Sequence, residues 1–516
     1  MRVFYYLLPL LLLIGCSQKA IEPKSSPQRV VKSDKNSPIL QKLHKTDRAM
    51  GDRSAFYPLS IPTDAFASRI FLIDSAKSTL DVQYYIYEND TIGKIFSAHL
   101  ILASSRGVKV RILLDDLTTA GKDENLMKLA LSKNIELRLF NPNILRTSFR
   151  NMALLLNINS LGKRMHNKAL IADGVSAIVG GRNIGDVYFA YSSETIFLDY
   201  DILAIGSVVP KLSEEFELYW GSQESVSYES ILDKSSTKEY DLSSQRLYKG
   251  IAEFEQTTRG RAIKNSNFNK KIAQDSLVLT VAKDTKLYYD HPNKVISDES
   301  NNTLHISSQL GKHIDDIRDS VIIISPYFIP SQEMVDSFRV LRARGVKIVV
   351  VTNSLSSTDV SPVYAGYQEY IKPLVNMGVE LYELKSDSFK KLLKKKKLKS
   401  IPSISLHTKM TIVDDDKIAI GSANIDPRSN RLNTEIVMVI ESKKIVKEQI
   451  DELKAVINLK NFYKLSWEKH PSKGYGVVWT TIEDGKKRVY YEVPNTKLLK
   501  KVTTDIISML PIKGYL

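Results

Sequence analysis

Two segments of the chain place a histidine and a lysine two residues apart, each followed at the same distance by an aspartate. The first reads Met165-His166-Asn167-Lys168-Ala169-Leu170-Ile171-Ala172-Asp173 and the second Leu406-His407-Thr408-Lys409-Met410-Thr411-Ile412-Val413-Asp414. Six intervening residues lead to Gly180-Gly181 and Gly421-Ser422, and an asparagine follows at the same place in both, Asn183 and Asn424. Residues two apart on an extended chain point to one face, so imidazole and ammonium can converge on one ligand. Small residues let backbone approach that ligand closely, and Asn183 and Asn424 can each offer an amide donor. Two imidazoles, two ammoniums and two amides suit a phosphodiester. One imidazole attacks phosphorus, the other protonates the leaving oxygen, and fixed cations balance charge on the equatorial oxygens. A single His-x-Lys is commonplace on an exposed strand edge; recurrence of the whole pattern separates this pair from chance.

An imidazole that reacts through one nitrogen needs the other held by an acceptor, which sets its tautomer and orientation. An acid follows each segment: Asp201 in Asp199-Tyr200-Asp201 and Glu435 in Asn433-Thr434-Glu435. Aligning Tyr200-Asp201-Ile202 with Thr434-Glu435-Ile436 makes Asp201 and Glu435 the equivalent pair.

The elements that carry these residues also occur twice. Strand-like runs Ser78–Tyr87 and Val108–Leu114 flank a helical pattern over Ile95–Ser104, and 135–139, 169–171, 177–179 and 201–205 follow. In the second half Ser320–Ser325 and Val346–Thr352 flank a helical pattern over Glu333–Ala343, followed by 379–384, 410–413, 417–420 and 435–440. Both helical patterns end in Arg-Gly-Val, at Arg106-Gly107-Val108 and Arg344-Gly345-Val346. Short apolar strands alternating with amphipathic helices imply α/β lobes, each a mixed sheet flanked by helices. A repeat of this size implies a pseudo-twofold with the site between the lobes, rather than a solenoid. The expected boundaries are 56–240 for the first lobe, 241–300 for an irregular connection with a helix or two, 301–460 for the second lobe and 461–516 for a C-terminal extension.

At 516 residues, 43% hydrophobic and 25% charged, the chain is long enough for two buried cores and shows neither collagen-like nor wholly disordered composition. Its formal charge of +15 favours anionic partners, nucleic acid or an anionic membrane surface. Arg2 precedes an apolar run from Val3 to Ile14, which is short for a membrane span and fits a signal-peptide core over residues 1–15. Cys16 follows directly and is the only cysteine, so it has no intrachain disulfide to make. Residues 16–55, rich in Lys, Ser, Pro and Gln, read as a tether. The run Lys390–Lys399 holds seven lysines in ten residues: either a solvated face or a patch for anionic headgroups.

The two His/Lys segments resemble the paired HKD motifs of the phospholipase D superfamily, complete in both copies, and the resemblance covers nearly all of residues 56–516. It implies catalysis without metal or other cofactor, through a phosphohistidine on His166 with His407 as general acid and then general base. The near-symmetry of the sequence leaves the reverse order open. It implies a role away from the phosphate for Asp173 and Asp414, beside Lys168, Lys409, Asn183 and Asn424 in the site. Ser325-Pro326-Tyr327-Phe328-Ile329-Pro330, the segment Thr352–Asp359, Val363-Tyr364-Ala365-Gly366-Tyr367, Gln83-Tyr84-Tyr85-Ile86-Tyr87 and Leu113-Leu114-Asp115-Asp116 resemble bacterial cardiolipin synthases. The tail from Trp479 to Leu516, with Leu510-Pro511-Ile512, is similar to a subgroup lacking paired N-terminal transmembrane helices. Leu13-Ile14-Gly15-Cys16 resembles a bacterial lipobox, which implies a lipid on Cys16. The implied partners are phospholipids, phosphatidylglycerol among them, and a membrane reached through the anchor and the basic surface. The implied location is the cell envelope, with Ser17 favouring the periplasmic face of the outer membrane in a Gram-negative cell. Phosphatidyl transfer is the implied reaction; hydrolysis to phosphatidic acid is the same chemistry with water as acceptor. The lipid anchor argues against nucleic acid as substrate, and the intact motifs argue against a merely lipid-binding protein.

Overall fold

The computed structural model describes residues 33–119, 121–143, 162–231, 242–298, 301–310, 316–388, 403–472 and 474–496, and four residues near the C-terminus, Lys500, Lys501, Thr503 and Thr504. The expected signal peptide and Cys16, the lysine run 390–399 and the Leu510-Pro511-Ile512 stretch lie outside the described residues.

The first half supplies β1 (Ser54–Leu59), β2 (Thr79–Tyr84), β3 (Lys109–Asp115), β4 (Ile135–Phe140), β5 (Ala169–Ala172) and β6 (Ser176–Gly180). After them come β7 (Thr195–Leu198), β8 (Asp201–Gly206), β9 (Ser225–Ser227) and β10 (Thr280–Val281). All but β7 form a nine-stranded sheet in the order β10-β1-β8-β6-β5-β2-β3-β4-β9. The second half supplies β11 (Asp284–Tyr289), β12 (Ser320–Ile324), β13 (Lys347–Asn353), β14 (Glu380–Leu384), β15 (Ser403–Leu406) and β16 (Met410–Val413). Next are β17 (Lys417–Gly421), β18 (Ile436–Glu441), β19 (Phe462–His470), β20 (Gly474–Glu483) and β21 (Lys486–Tyr490). All but β15 form a ten-stranded sheet in the order β11-β18-β17-β16-β12-β13-β14-β19-β20-β21. In each sheet three neighbours run parallel, β2-β3-β4 and β12-β13-β14, while the strands next to the site, β5-β6-β8 and β16-β17-β18, are antiparallel. The protein is thus two α/β lobes with mixed sheets flanked by helices.

The crossover helices Thr91–Ser105 and Gln332–Ala343 begin and end alike. The Asp90 side chain accepts from the N–H of Gly93 and the Ser331 hydroxyl from that of Met334, so each first turn has a side-chain cap. Each helix stops at its Arg-Gly pair, where Gly107 and Gly345 have φ of 97° and 86°, the left-handed conformation that glycine adopts without cost from a Cβ.

Alternate residues of the central strands enter different cores. In the first sheet Leu170, Ala172, Ile178, Leu203 and Ile205 face a layer containing Phe66, Leu72, Ile73, Phe96 and Leu100. Their neighbours Ala169, Ile171, Ala177, Val179, Ile202 and Ala204 share a core with Met410, Ile412, Ile418, Ile420, Ile436 and Met438 of the second sheet. Both faces are therefore buried, and these strands read as apolar runs rather than alternating ones. At ~1.5–3 kcal/mol for each large aliphatic side chain, this shared core holds the lobes in one relative position.

Several segments differ from expectation. Residues 241–300 contain the helices Ser244–Gln256, Thr258–Lys264 and Asn267–Ala273, and supply edge strands to both sheets, β10 to the first and β11 to the second. Within the expected C-terminal extension, residues 462–490 add β19, β20 and β21 to the second sheet. Structure also begins before residue 56: Ile39 and Leu43 are fully buried, and the Ser37 hydroxyl donates to Asp173 at 2.6 Å.

Candidate active site

The two reactive segments meet across the lobes, each tied to backbone of the opposite half. Strand β15, which ends just before His407, runs parallel to β7 of the first lobe, and Met165 bridges Thr434 in the same sense. The N–H of His166 donates to the Thr434 carbonyl at 2.9 Å, and that of His407 to the Leu198 carbonyl at 2.7 Å. The residue after each of those carbonyls is an acid. Glu435 accepts from His166 Nδ1 at 2.9 Å, and Asp199 accepts from His407 Nδ1 at 2.6 Å. Each imidazole therefore takes its carboxylate from the other lobe. With Nδ1–H given to the carboxylate, Nε2 of each ring is left to react, as a lone pair in the neutral form or as a donor in the protonated one.

Asp199, not Asp201, is the partner of His407. In the sheets Gly180 pairs with Asp201 and Gly421 with Val437, so the residue two before each, Asp199 and Glu435, are equivalent. A shift of two preserves the parity of the pleat, so a sequence alignment centred on Asp201 still finds an acid on the right face. Asp201 is instead committed to a buried ion cluster with Arg69 at 2.9 Å and Arg182 at 3.1 Å.

Glycine spacing follows the same acids. A Cβ on Gly181 would lie 2.1 Å from Asp199 Oδ1, whereas the equivalent Ser422 keeps its Cβ and donates its hydroxyl to the longer Glu435. The Ser429 hydroxyl donates to Glu435 as well, at 2.7 Å. Gly180 and Gly421 close on the backbone of the neighbouring strand, at Tyr200–Asp201 and at Ile436. Their smallness serves the sheet, and not the approach of a ligand as the spacing suggests.

Both lysines are buried, with relative exposures of 1% for Lys168 and 4% for Lys409. Lys168 Nζ donates to the His166 carbonyl at 2.6 Å and Lys409 Nζ to that of His407 at 2.7 Å. Burial pushes Lys168 down to about 7, against the pull of Glu435. Lys409 is lowered by burial too, opposed by Asp199 and Glu435. His166 falls to about 4, first through burial, with Glu435 pulling upward and Lys168 and Lys409 pushing down. Burial, then Lys409 and Lys168, hold His407 well below its usual range. Each of the four groups acts on groups of the other lobe, as one site requires. Desolvation thus disfavours the charged form of all four groups, and an anion beside them would favour it. Tyr85 stands edge-on to His166 at 4.9 Å between ring centroids, Tyr188 edge-on to His407 at 5.2 Å, and Phe197 stacks on His407 at 5.0 Å.

The remaining expected residues divide. Asn183 accepts from the Ile86 N–H and donates Nδ2 to the Tyr188 hydroxyl, each at 3.0 Å, so its amide supports the ring beside His407 instead of standing free. Asn424 has its Oδ1 buried without a hydrogen-bond partner among the described residues. Asp173 and Asp414 lie at the far end of the hairpins β5–β6 and β16–β17, both at positive φ. Asp173 accepts from the N–H groups of Lys77, Ser78 and Thr79, and Asp414 from those of Arg318, Asp319 and Ser320. They pin the first residues of β2 and β12, a positioning role. Sequence reading also missed Glu215. It is buried and pushed up to about 7 by desolvation, and accepts from Asn167, the residue between His166 and Lys168, at 2.7 Å.

Two lobes, each holding the other's histidine, thus form one site of near-twofold symmetry. The family described as "Cardiolipin synthase, PLD-like domain" matches residues 70–220 and 310–457, one copy in each lobe. Cardiolipin synthase C of Escherichia coli (strain K12) is 35% identical over 463 residues, covering 89% of this chain and 96% of that protein. An uncharacterized protein of Helicobacter pylori (strain ATCC 700392 / 26695) is 31% identical over 519 residues, covering 99% of both. Among solved structures, phosphatidylserine synthase of Haemophilus influenzae Rd KW20 shares the fold, with a TM-score of 0.50 at 13% identity over 79% of this chain and 88% of that one. The chain belongs to the phospholipase D-like family, with two copies of its domain in one polypeptide.

Proposed function

We propose that this protein is a membrane-associated phosphatidyltransferase of the cardiolipin synthase kind, working through a phosphohistidine. The observation that carries the proposal is the reciprocal holding of the imidazoles: Glu435 on His166 and Asp199 on His407, with both lysines beside them. His166 Nε2 attacks phosphorus, and the P–O bond to the headgroup breaks as His407, entering the step as an imidazolium held by Asp199, gives that oxygen its Nε2 proton. The hydroxyl of phosphatidylglycerol or glycerol then gives its proton to His407 and attacks phosphorus, and the N–P bond breaks. Each carboxylate stabilises the imidazolium formed on its histidine, and Lys168 and Lys409 balance charge on the phosphoryl oxygens. Assignment of the nucleophile to His166 rests on the family resemblance.

Similarity to the cardiolipin synthases supports phospholipid as the substrate class. Lipid modification of Cys16 would hold the enzyme at the cell envelope, and the run 390–399 would meet anionic headgroups. Product analysis on mixed liposomes rich in phosphatidylglycerol tests the reaction: cardiolipin forms with the unmodified protein and not with His166→Ala. Phosphatidic acid without cardiolipin would establish hydrolysis instead, and DNA cleavage abolished by His166→Ala would overturn the lipid assignment. Cys16→Ser should release the protein from membranes; unchanged retention would leave the basic surface as the anchor.

A further inference from the structure

The loops that hold the segments before the two histidines correspond in position and differ in charge at their far end. The loop after β3 reads Asp115-Asp116-Leu117-Thr118-Thr119-Ala120-Gly121, and the loop after β13 reads Asn353-Ser354-Leu355-Ser356-Ser357-Thr358-Asp359. Their first residues do the same work. Asp115 accepts the N–H of Met165 at 2.8 Å, and Asn353 accepts that of Leu406 at 2.8 Å while donating to the Leu406 carbonyl at 2.9 Å. Met165 and Leu406 directly precede the two histidines. At the last position the first lobe has Gly121 and the second has Asp359.

A second difference faces the first. Tyr87 bridges Ile184 in one lobe and Phe328 bridges Ile425 in the other, so Ile86 and Tyr327, one residue earlier, are equivalent. The Tyr327 hydroxyl donates to Asp359 Oδ2 at 2.8 Å. The carboxylate is exposed, yet its loop is fixed from both sides. The Ser357 hydroxyl donates to Asn353 Oδ1 at 3.0 Å, which ties the loop to Leu406, and Lys500 Nζ donates to the Thr358 carbonyl at 2.8 Å. The charge of Asp359 is felt at His407, Lys409 and Tyr188.

A carboxylate at the mouth of an anion site repels the phosphodiester it serves, unless it faces a part of the substrate that is neutral and rich in hydroxyls. Water offers no second hydroxyl to engage it, and a polyol does. We propose that Asp359, oriented by Tyr327, docks the polyol headgroup that leaves and re-enters beside His407, and so selects a glycerol-type alcohol as acceptor. The inference rests on the phosphatidyl-transfer reading above and adds the side of the site that the alcohol occupies. A site that bonds a substrate hydroxyl discriminates strongly against the analogue that lacks it.

The test is a competition in phosphatidylglycerol–detergent mixed micelles with equal concentrations of radiolabelled glycerol and radiolabelled 1-propanol. The ratio of labelled phosphatidylglycerol to phosphatidylpropanol reads how one intermediate partitions, so it does not depend on how much of a variant is folded. Asp359→Asn should lower that ratio about tenfold, Tyr327→Phe should lower it less, and Asp359→Glu should restore part of it. A ratio unchanged in Asp359→Asn overturns this assignment alone. Absence of any labelled lipid from the unmodified protein overturns the transfer reading, and this assignment with it.

Discussion

If the two carboxylates serve different histidines in different steps, Glu435→Gln and Asp199→Asn must fail differently. Each substitution keeps shape and removes the charge that stabilises an imidazolium. The hydrogen bonds concerned, 2.9 Å from His166 to Glu435 and 2.6 Å from His407 to Asp199, are charge-assisted once the ring is protonated or phosphorylated. Such bonds contribute ~1.5–3 kcal/mol, and at about 1.4 kcal/mol per decade each substitution should cost about 10- to 150-fold in rate. Folding should change little with Gln at position 435, because the Ser422 and Ser429 hydroxyls that now donate to Glu435 can turn to accept from an amide. The assay compares two donors, a phospholipid with an alkyl headgroup and a phosphodiester with a p-nitrophenyl leaving group, with single-turnover loss of the headgroup as readout. Departure of p-nitrophenolate needs no proton from a general acid. Asp199→Asn should therefore recover most of its loss on the activated donor, whereas Glu435→Gln, which weakens the nucleophile's side, should stay slow on both. Recovery by Glu435→Gln with none by Asp199→Asn would reverse the two histidines. Equal behaviour on both donors would refute the division of labour.

Gly181→Ala should abolish most activity with little loss of fold, because its Cβ would lie 2.1 Å from Asp199 Oδ1 and push that carboxylate off His407; normal activity with a normal circular dichroism spectrum would contradict this. Asp201→Asn breaks a fully buried pairing with Arg69 and Arg182 and should cost ~3–5 kcal/mol in urea unfolding, with no change in the pH–rate profile. Lys168 must be protonated to balance phosphate charge, and burial lowers it to about 7, so kcat/KM should fall as pH rises through about 7. In Lys168→Arg that limb should move up by more than one pH unit, since guanidinium keeps its proton; an unmoved limb would assign it to another group. Asp173→Ala removes the acceptor of three backbone N–H groups and the Ser37 hydroxyl, and should destabilise the protein by about 2–4 kcal/mol without altering the product ratio.

Much of the protein was legible in its linear order. Chemistry two residues apart on a strand, repeated with the same spacing, located His166, Lys168, His407 and Lys409, because pleat parity is a local property. The duplicated strand–helix–strand order gave the two α/β lobes, and the Arg-Gly-Val repeats became the glycine-terminated ends of equivalent helices. The edges of the sheets were harder to read: β10, β11 and the β19–β21 extension join strands distant in sequence, and pairing of that kind leaves only a weak local signature.

Tertiary structure alone decided who holds whom. The sequence places an acid after each motif and leaves open which histidine each one holds. Folding crosses the pairs, so Glu435 serves His166 and Asp199 serves His407, because β7 lies parallel to β15 and Met165 bridges Thr434 across the lobe boundary. The connection from Asn424 to Glu435 is shorter than that from Asn183 to Asp199, and only the registers of β6 with β8 and β17 with β18 show which acids correspond. The inventory of reactive groups is local and readable; their partnership depends on long-range packing, and no spacing along the chain encodes it.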